Sequence, residues 1–593
     1  MQDRAVDRFS SAKVALLVTA SALPGAALAQ STPAEPSREQ VELPTPDRQP
    51  QRPRVRIDAD RAIEAAPCPL DRFDIKVTIN TVAYSGVGGG PLAPEISDLL
   101  ASVPPPPADA QAISVVCEIR DRATAALRRA GYVASVQIPP QTVETGTLRL
   151  EVVTARIVNV RVTGDAAPYR DTLTARVEQL KALDPLNEHD AERVLLLAGD
   201  IPGLDVQLAL RPADTRPGEV IGELNVDYRP YSVLANIQNY GSRQLGREAA
   251  YVRGEVYGLT GFADVTYIGG SSTFDFEEQR IVQAGHIMGL GNQGMTLGGS
   301  FSYAWSRPDV GELDLRSESL IGAVELVAPL YRSLLRNIRL STGLEIIEQR
   351  TRVFEDGDGT PLNRDKLRVA YLRADGDYRD PFLGGAGSEG FSISWGAEVR
   401  KGLSILDASK RREITPNGFA PSRFDGDPKA FVFRADLDTS IPIGGIFSLH
   451  AAARYQYANR PLLNLEEFSI GNLTIGRGYD PGSNSADRAT AFRLEPRARI
   501  PGTERLFPAT PFRAHVFGFY DRVRIKNLDP GTTETNRTLA SYGAGARAIL
   551  PGFAVFEAMY ARPRDIALLV PNARRAPDRF LVSLTLQFPK GGR

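Results

Sequence analysis

Two small α+β domains followed by an all-β, 16-stranded transmembrane β-barrel is the fold this sequence predicts, on three observations. The chain begins with Arg4, Arg8 and Lys13, an apolar run from Val14 to Ala27, and Ala27-Leu28-Ala29 before Gln30, the pattern of a cleavable secretory signal over residues 1–29. No later run approaches the roughly 20 apolar residues that a membrane-spanning helix requires. The last stretch of about 360 residues is instead built from short alternating runs and glycine-rich turns. Strands with one lipid face and one wet face average to such near-neutral hydropathy, and a soluble periplasmic or secreted all-β protein is the alternative.

Composition narrows the function classes. Lys and Arg number 70 against 71 Asp and Glu, so no net field attracts nucleic acid. Cys68 and Cys117 are the only two cysteines, both in the exported part. An even pair in an oxidising compartment predicts one disulfide, with two buried free thiols as the alternative. The closed loop of about 50 residues would contribute on the order of 4 kcal/mol.

Residues 30–67 are rich in Pro, Gln, Arg and Glu. Pro33, Pro36, Pro44, Pro46, Pro50 and Pro53 recur too often for a stable helix, which predicts a periplasmic linker. Only Asp58 to Ala66 has the length to begin a plug helix. Residues 68–154 then read β-α-α-β-β. Phe73 to Tyr84 alternates as a strand, Pro91 to Val103 and Ile113 to Ala130 have helical spacing, and Tyr132 to Ile138 and Thr147 to Val153 are strands. The second helix places Ile119, Ala123, Ala126, Leu127 and Ala130 on one face, which must cover the sheet. A Cys68–Cys117 bond would pin that helix to it.

Residues 155–228 repeat the order: a strand at Ile157 to Thr163, helices at Asp171 to Leu183 and Asn187 to Ala198, and strands at Val206 to Leu210 and Glu219 to Tyr228. The barrel follows over 229–588 with a tail at 589–593, and sixteen candidate strands fit an even, closed bacterial barrel. Met295, Leu297, Phe301, Tyr303 and Trp305 alternate with small polar residues. The final strand, Arg579 to Phe588, is aromatic at both ends. The longest polar insertion is 459–487.

That insertion carries Ile475-Gly476-Arg477-Gly478-Tyr479-Asp480-Pro481-Gly482, an obligate cation between two glycines. The octapeptide resembles the (V/I)RG(Y/F) motif on the sixth extracellular loop of the outer-membrane insertase superfamily. With Glu467 to Gly471 before it and Gly482 to Asp487 after it, it is most similar to the TpsB two-partner secretion transporters, the ShlB/FhaC/HecB-like branch. Gly131-Tyr132-Val133, Pro140-Gln141 and Gly146-Thr147-Leu148 are similar to that branch's GY(V/I), PxQ and GxL patterns. The β-α-α-β-β order is that of its POTRA domains. Leu195 to Leu197, Ile201-Pro202-Gly203 and Pro217-Gly218 resemble signposts of the second one. The chain departs from the pattern at Thr154-Ala155, where Glu-Gly is usual, at Val523, where Gly is usual, and in its C-terminal tail.

The resemblance implies roles for particular residues. Gly476, Arg477, Gly478 and Tyr479 would form the loop motif, and Asp521 on the thirteenth strand would pair with Arg477. Glu495 would be a second acidic partner and Phe519 a neighbour on the wall. Parity along Thr490 to Ile500 sets Arg493, Glu495, Arg497 and Arg499 on one side, opposite Phe492 and Leu494, and so in the lumen. Tyr132, Val133, Ile138 and Gln141 would receive an extended client by strand addition.

Taken together, the resemblance implies a transporter in the outer membrane of a Gram-negative bacterium, with its POTRA domains in the periplasm. It would bind an unfolded haemolysin- or adhesin-type TpsA-like exoprotein and pass it to the cell surface. Its other partners would be outer-membrane lipids and, during biogenesis, the barrel-assembly machinery. A barrel-assembly insertase and a passive porin or receptor are the rival readings. Enzymatic signals are weak. Gly289 to Gly294 matches GxGxxG but no helix follows it, and Asp356 to Thr360 lacks the ligands of a calcium loop. The four histidines sit in separate elements, and no Walker or GxSxG motif occurs. No catalytic residue, metal, cofactor, nucleotide or nucleic acid is therefore expected.

Overall fold

A computed structural model describes residues 35–42, 57–58, 68, 70 and 73–589, apart from short stretches at 105–108, 143–145, 214, 355–356, 358, 386–389, 504–511, 530–534 and 569–573. The signal segment, most of the Asp58 to Ala66 stretch, both aspartates before Gly359 and nearly all of the tail lie outside the described residues.

In the first domain, helix Val115–Arg129 turns Val116, Ile119, Ala123 and Leu127 onto the sheet, all of them buried. It stops at Gly131, whose φ of +86° suits only glycine without strain. The sheet order is Thr81–Gly86, Thr147–Thr154, Ala134–Gln137. The single strand expected from Phe73 to Tyr84 is split. Lys76–Val77 pairs with Gln111–Ala112, and Thr81–Gly86 runs parallel to Thr147–Thr154. The chain crosses between the two sheets at Ile79 and Asn80, where Ile79 turns into the core and the Asn80 amide donates to the Gly146 carbonyl at 2.7 Å. Cys68 and Cys117 are disulfide-bonded, their Cα atoms 5.9 Å apart.

The second domain has strands Arg156–Gly164, Leu204–Pro212 and Glu219–Tyr228 and helices Arg170–Lys181 and Glu188–Gly199. Asn187 caps the second helix by accepting from the His189 amide at 2.9 Å. This domain sits directly on the barrel. Tyr169 is fully buried, and its hydroxyl donates to the carbonyls of Pro202 (3.0 Å) and of Asp264 (3.3 Å), the latter in a barrel turn. Arg332 of the barrel pairs with Asp200 at 2.7 Å. The GxGxxG stretch is another such turn, and a side chain on Gly294 would collide with Leu197 of the domain.

The barrel strands are β1 (Tyr231–Gln238), β2 (Ala249–Tyr257), β3 (Val265–Thr273), β4 (Gln279–Leu290), β5 (Met295–Ser306) and β6 (Leu313–Arg332). They continue as β7 (Arg336–Phe354), β8 (Thr360–Asp380), β9 (Phe391–Gly402), β10 (Phe431–Gly444) and β11 (Phe447–Ala458). The last five are β12 (Arg488–Arg499), β13 (Arg513–Lys526), β14 (Asn536–Leu550), β15 (Ala554–Pro563) and β16 (Arg579–Phe588). Each pairs antiparallel with its neighbour, and β1 closes on β16. On β5, Leu297, Phe301 and Trp305 point outward, while Ser302, Ala304 and Ser306 are buried on the inside. Because β1 leaves the second domain, every odd-numbered strand ends on the far side, and the 459–487 loop after β11 is extracellular in origin.

A second expectation is overturned. Residues 35–42, expected to be periplasmic linker, lie inside the barrel as a helical turn, Arg38–Val41. Its prolines do not forbid this, because Pro33 and Pro36 precede the turn and Pro44 follows it. Side chains around the turn satisfy its free carbonyls: from the wall, Gln279 Nε2 donates to Gln40 O (3.0 Å) and Ser302 Oγ to Val41 O (2.9 Å), and from the 459–487 loop Asn464 Nδ2 donates to Pro36 O (3.1 Å). Arg38 is paired with Glu345 on β7 at 2.8 Å and with Glu466 of the 459–487 loop at 3.3 Å.

Candidate functional site in the barrel lumen

The 459–487 loop folds back into the barrel. A short hairpin, Phe468–Ile470 against Asn484–Ala486, forms its neck, and Ile470, Ile475 and Tyr479 pack with Val523, Ile525 and Leu539 of the wall. Its tip depends on two glycines for different reasons. Gly476 has a φ of +120°. Gly478 lies so close to the wall that a Cβ would stand 2.6 Å from Pro563 N and 2.8 Å from Ser541 Cβ. The Tyr479 ring is buried, and its hydroxyl donates to Ala540 O at 2.8 Å and accepts from the Asp565 amide at 3.1 Å. Burial pushes its pKa up to about 12.

Asp521, fully buried on β13, receives the tip chiefly through backbone. Its Oδ2 accepts from the amides of Gly476 (3.0 Å) and Arg477 (2.9 Å), and Arg493 donates to both of its oxygens at 2.8 and 3.0 Å. The expected Arg477–Asp521 side-chain pair is the looser contact, 3.8 Å from Nε. With Asp521 already taken by two amides and Arg493, the Arg477 guanidinium reaches Glu495 on β12 instead, and Arg497 Nε holds the other Glu495 oxygen at 2.7 Å. The cation also lies 4.2 Å from the Phe519 ring centroid. Burial and the nearby Arg493 lower the Arg477 pKa from its ordinary value, opposed by Asp521 and Glu495.

All seven residues expected as loop motif or wall partners, Gly476 to Tyr479, Asp521, Glu495 and Phe519, therefore meet, and Arg493 and Arg497 of the three expected to line the lumen join them. Beside them is a chamber of about 340 Å³ lined by Tyr240, His450, Asn472, Arg547 and Glu557. Arg499 shares their parity but stands further toward the periplasmic end, opposite His515 in the ladder and outside the chamber.

A family model for the haemolysin secretion/activation proteins ShlB/FhaC/HecB matches residues 224–548, more than half of the chain. The chain belongs to that family. A model of the ShlB-type POTRA domain matches residues 77–154. The heme/hemopexin transporter protein HuxB of Haemophilus influenzae is 22% identical over 454 residues, covering 73% of this chain and 74% of HuxB. The outer membrane transporter CdiB-2 of Burkholderia pseudomallei is 26% identical over 462 residues, covering 72% and 74%. In fold, the chain is similar to CdiB from Escherichia coli (TM-score 0.67, 17% identity, 89% of this chain and 94% of that one) and to CdiB from Acinetobacter baumannii (0.58, 13%, 89% and 91%). This member of the family is an outer-membrane two-partner secretion transporter whose POTRA domains lie on the periplasmic side.

The four client-contact candidates do not form one surface. Val133 is buried against the second domain, its amide donating to Leu186 O at 3.1 Å. Gln141 is engaged with the Arg149 backbone, donating at 2.6 Å and accepting at 2.8 Å. Tyr132 and Ile138 are half-buried on the first domain's core. The edge strand Ala134–Gln137 lies beneath helix Val115–Arg129, whose Thr124 hydroxyl already accepts from the Val136 amide at 3.1 Å.

Sequence reasoning missed two networks. Arg400 on β9 bonds Glu345, Glu398 and Glu466, joining the wall, the loop and, through Arg38, the luminal turn. Arg423, from the 403–430 loop, joins Asp487 (2.7 Å), Glu467 and Asp529 at the neck of the 459–487 loop. Strand parity could have found Glu345 and Arg400, but nothing local in the sequence pairs them with Arg38. Among the described residues no three His, Cys, Asp or Glu side chains are grouped to hold a metal.

Proposed function

We propose that this transporter captures an unfolded haemolysin- or adhesin-type exoprotein with its first POTRA domain and threads it through a lumen that two of its own segments occupy at rest. The observation that carries this reading is the double occupancy. The 459–487 loop and the 35–42 turn both lie inside the barrel, each held by an arginine on buried wall carboxylates. A client cannot pass until at least one of them moves. Removing one member of such a pair leaves the other charge buried without compensation, so each pair favours the closed state until a client or a change in the loop displaces it.

In this reading Arg477, Glu495 and Asp521 are positioning residues, and transport runs without catalysis, cofactor or nucleotide. Lipid contacts the band that includes Leu297, Phe301 and Trp305, and the β16 strand is read by the barrel-assembly machinery. Client capture uses main-chain pairing with the first domain's sheet, which accepts many sequences. Deleting residues 68–154 tests the receptor role: export should fall to background while the barrel remains heat-modifiable in the outer membrane. Export persisting in that variant would remove the first domain from the mechanism.

A further inference from the structure

The ladder that closes the barrel is short. Strand β1 pairs with β16 only from Val233 to Gln238, whereas β6 and β7 pair from Asp314 to Arg332. Side chains extend the seam beyond its outer end. Asn239 acts as a surrogate for backbone, donating through Nδ2 to Phe580 O at 2.8 Å and accepting at Oδ1 from the Val582 amide at 2.7 Å. Arg579, at the head of β16, donates to Gly241 O at 3.0 Å and to Tyr479 O at 3.1 Å.

The residue after the loop tyrosine completes this arrangement. Asp480 Oδ1 is 3.0 Å from Arg579 Nη1 and 3.2 Å from Arg247 Nη1, so one carboxylate oxygen is shared by cations from opposite sides of the seam. Its Oδ2 accepts from the Arg243 amide at 3.2 Å, and Arg247 Nη2 stands 3.4 Å away. Arg243 and Arg247 lie in the turn from β1 to β2, and Arg579 is almost wholly buried on β16. Without the carboxylate, two guanidinium groups would face each other across the shortest ladder in the wall.

We propose that Asp480 is a latch: the seated 459–487 loop holds the outer end of the β1–β16 seam shut, and withdrawal of the loop releases it. Loop movement and seam loosening are then one event. The clasp at Arg477 governs whether the loop is seated, and Asp480 transmits that state to the barrel closure.

Hydrogen exchange read by mass spectrometry on the full-length protein in nanodiscs tests the latch. Loss of a charge-assisted bond predicts that Asp480→Asn speeds exchange about tenfold in peptides covering 236–241 and 579–584, with the β7 peptide 343–351 unchanged. Asp480→Glu keeps the charge and should stay slow. Unchanged seam exchange in Asp480→Asn, or equal acceleration in β7, would overturn the proposal. If that variant does not assemble, Asp521→Ala, which removes the acceptor of the tip's two amides, supplies the second arm. Its loop should become protease-sensitive and its seam exchange should rise together, and a freed loop over an unchanged seam overturns the latch.

Discussion

The 476–479 loop tip and the 35–42 turn occupy the same lumen and use the same chemistry, an arginine on buried carboxylates, yet they are built differently. The tip is attached at both ends by strands β11 and β12 and necked by its own hairpin. Its backbone, as well as its side chain, engages Asp521. The turn is a single capped helical turn, held by wall and loop side chains donating to its carbonyls and by Arg38. Anchorage between two wall strands makes a clasp, and anchorage through side-chain contacts makes a stopper. The turn is expected to leave first.

Asp521→Ala should have the largest effect, because it removes the acceptor of two amides and of Arg493 together. Loop seating should lose about 3–5 kcal/mol, read as protease cleavage within 459–487 on intact cells and a loss of secretion. A smaller effect than that of Glu495→Ala would mean that the side-chain pair, and not the backbone, seats the tip. Gly478→Ala comes next. The nearest obstruction is a backbone atom, so about 1–3 kcal/mol of strain should appear as partial loop release in the same assay.

Arg38→Gln addresses the other segment. Pore current in planar bilayers should rise about tenfold through release of the turn, while the loop stays protease-resistant. Loop cleavage rising in parallel would show that Arg400 and Glu466 weld the two segments into one unit. pH acts on the same turn. Glu35 has its carboxyl raised to about 8, first by burial and then by Asp365 and Glu467. The seated form therefore holds a proton that the released form gives up near the usual carboxyl range. Seating is fully favoured below that range and lost as pH rises through about 8. Pore current should grow across that interval by at most about tenfold per pH unit, and Glu35→Gln should flatten the response.

The parts legible in the sequence were those with local requirements. Arg477 between two glycines announced a cation at a crowded turn, and period-two alternation assigned Glu495, Arg493 and Arg497 to the lumen, where they are found. Helical spacing located both helix pairs of the periplasmic domains. The same local logic misjudged Phe73 to Tyr84, because alternation cannot report that the chain changes sheets at Asn80. It also ranked Asp521 above Glu495 as the guanidinium's partner, since amide donors from Gly476 and Arg477 leave no trace in side-chain identity.

By itself the sequence determined that this chain is exported, that it crosses the membrane as strands, and that an arginine loop with glycine-dependent backbone must enter a confined space. Export follows from the leader pattern, and the membrane strands and the luminal loop follow from period-two alternation and glycine placement read together with the motif resemblance, all of which neighbours in sequence express. Only the tertiary structure decided that a proline-flanked linker segment turns into the barrel, which carboxylate each arginine takes, and that Asp480 ties Arg247 to Arg579. These contacts join residues that are distant in sequence, as Arg38 and Glu345 are, or that lie on different elements, as Arg477 and Glu495 do. They are set by the closure of the barrel, which brings β1, β7, β12 and β16 around one lumen and leaves buried charges to find the nearest opposite charge.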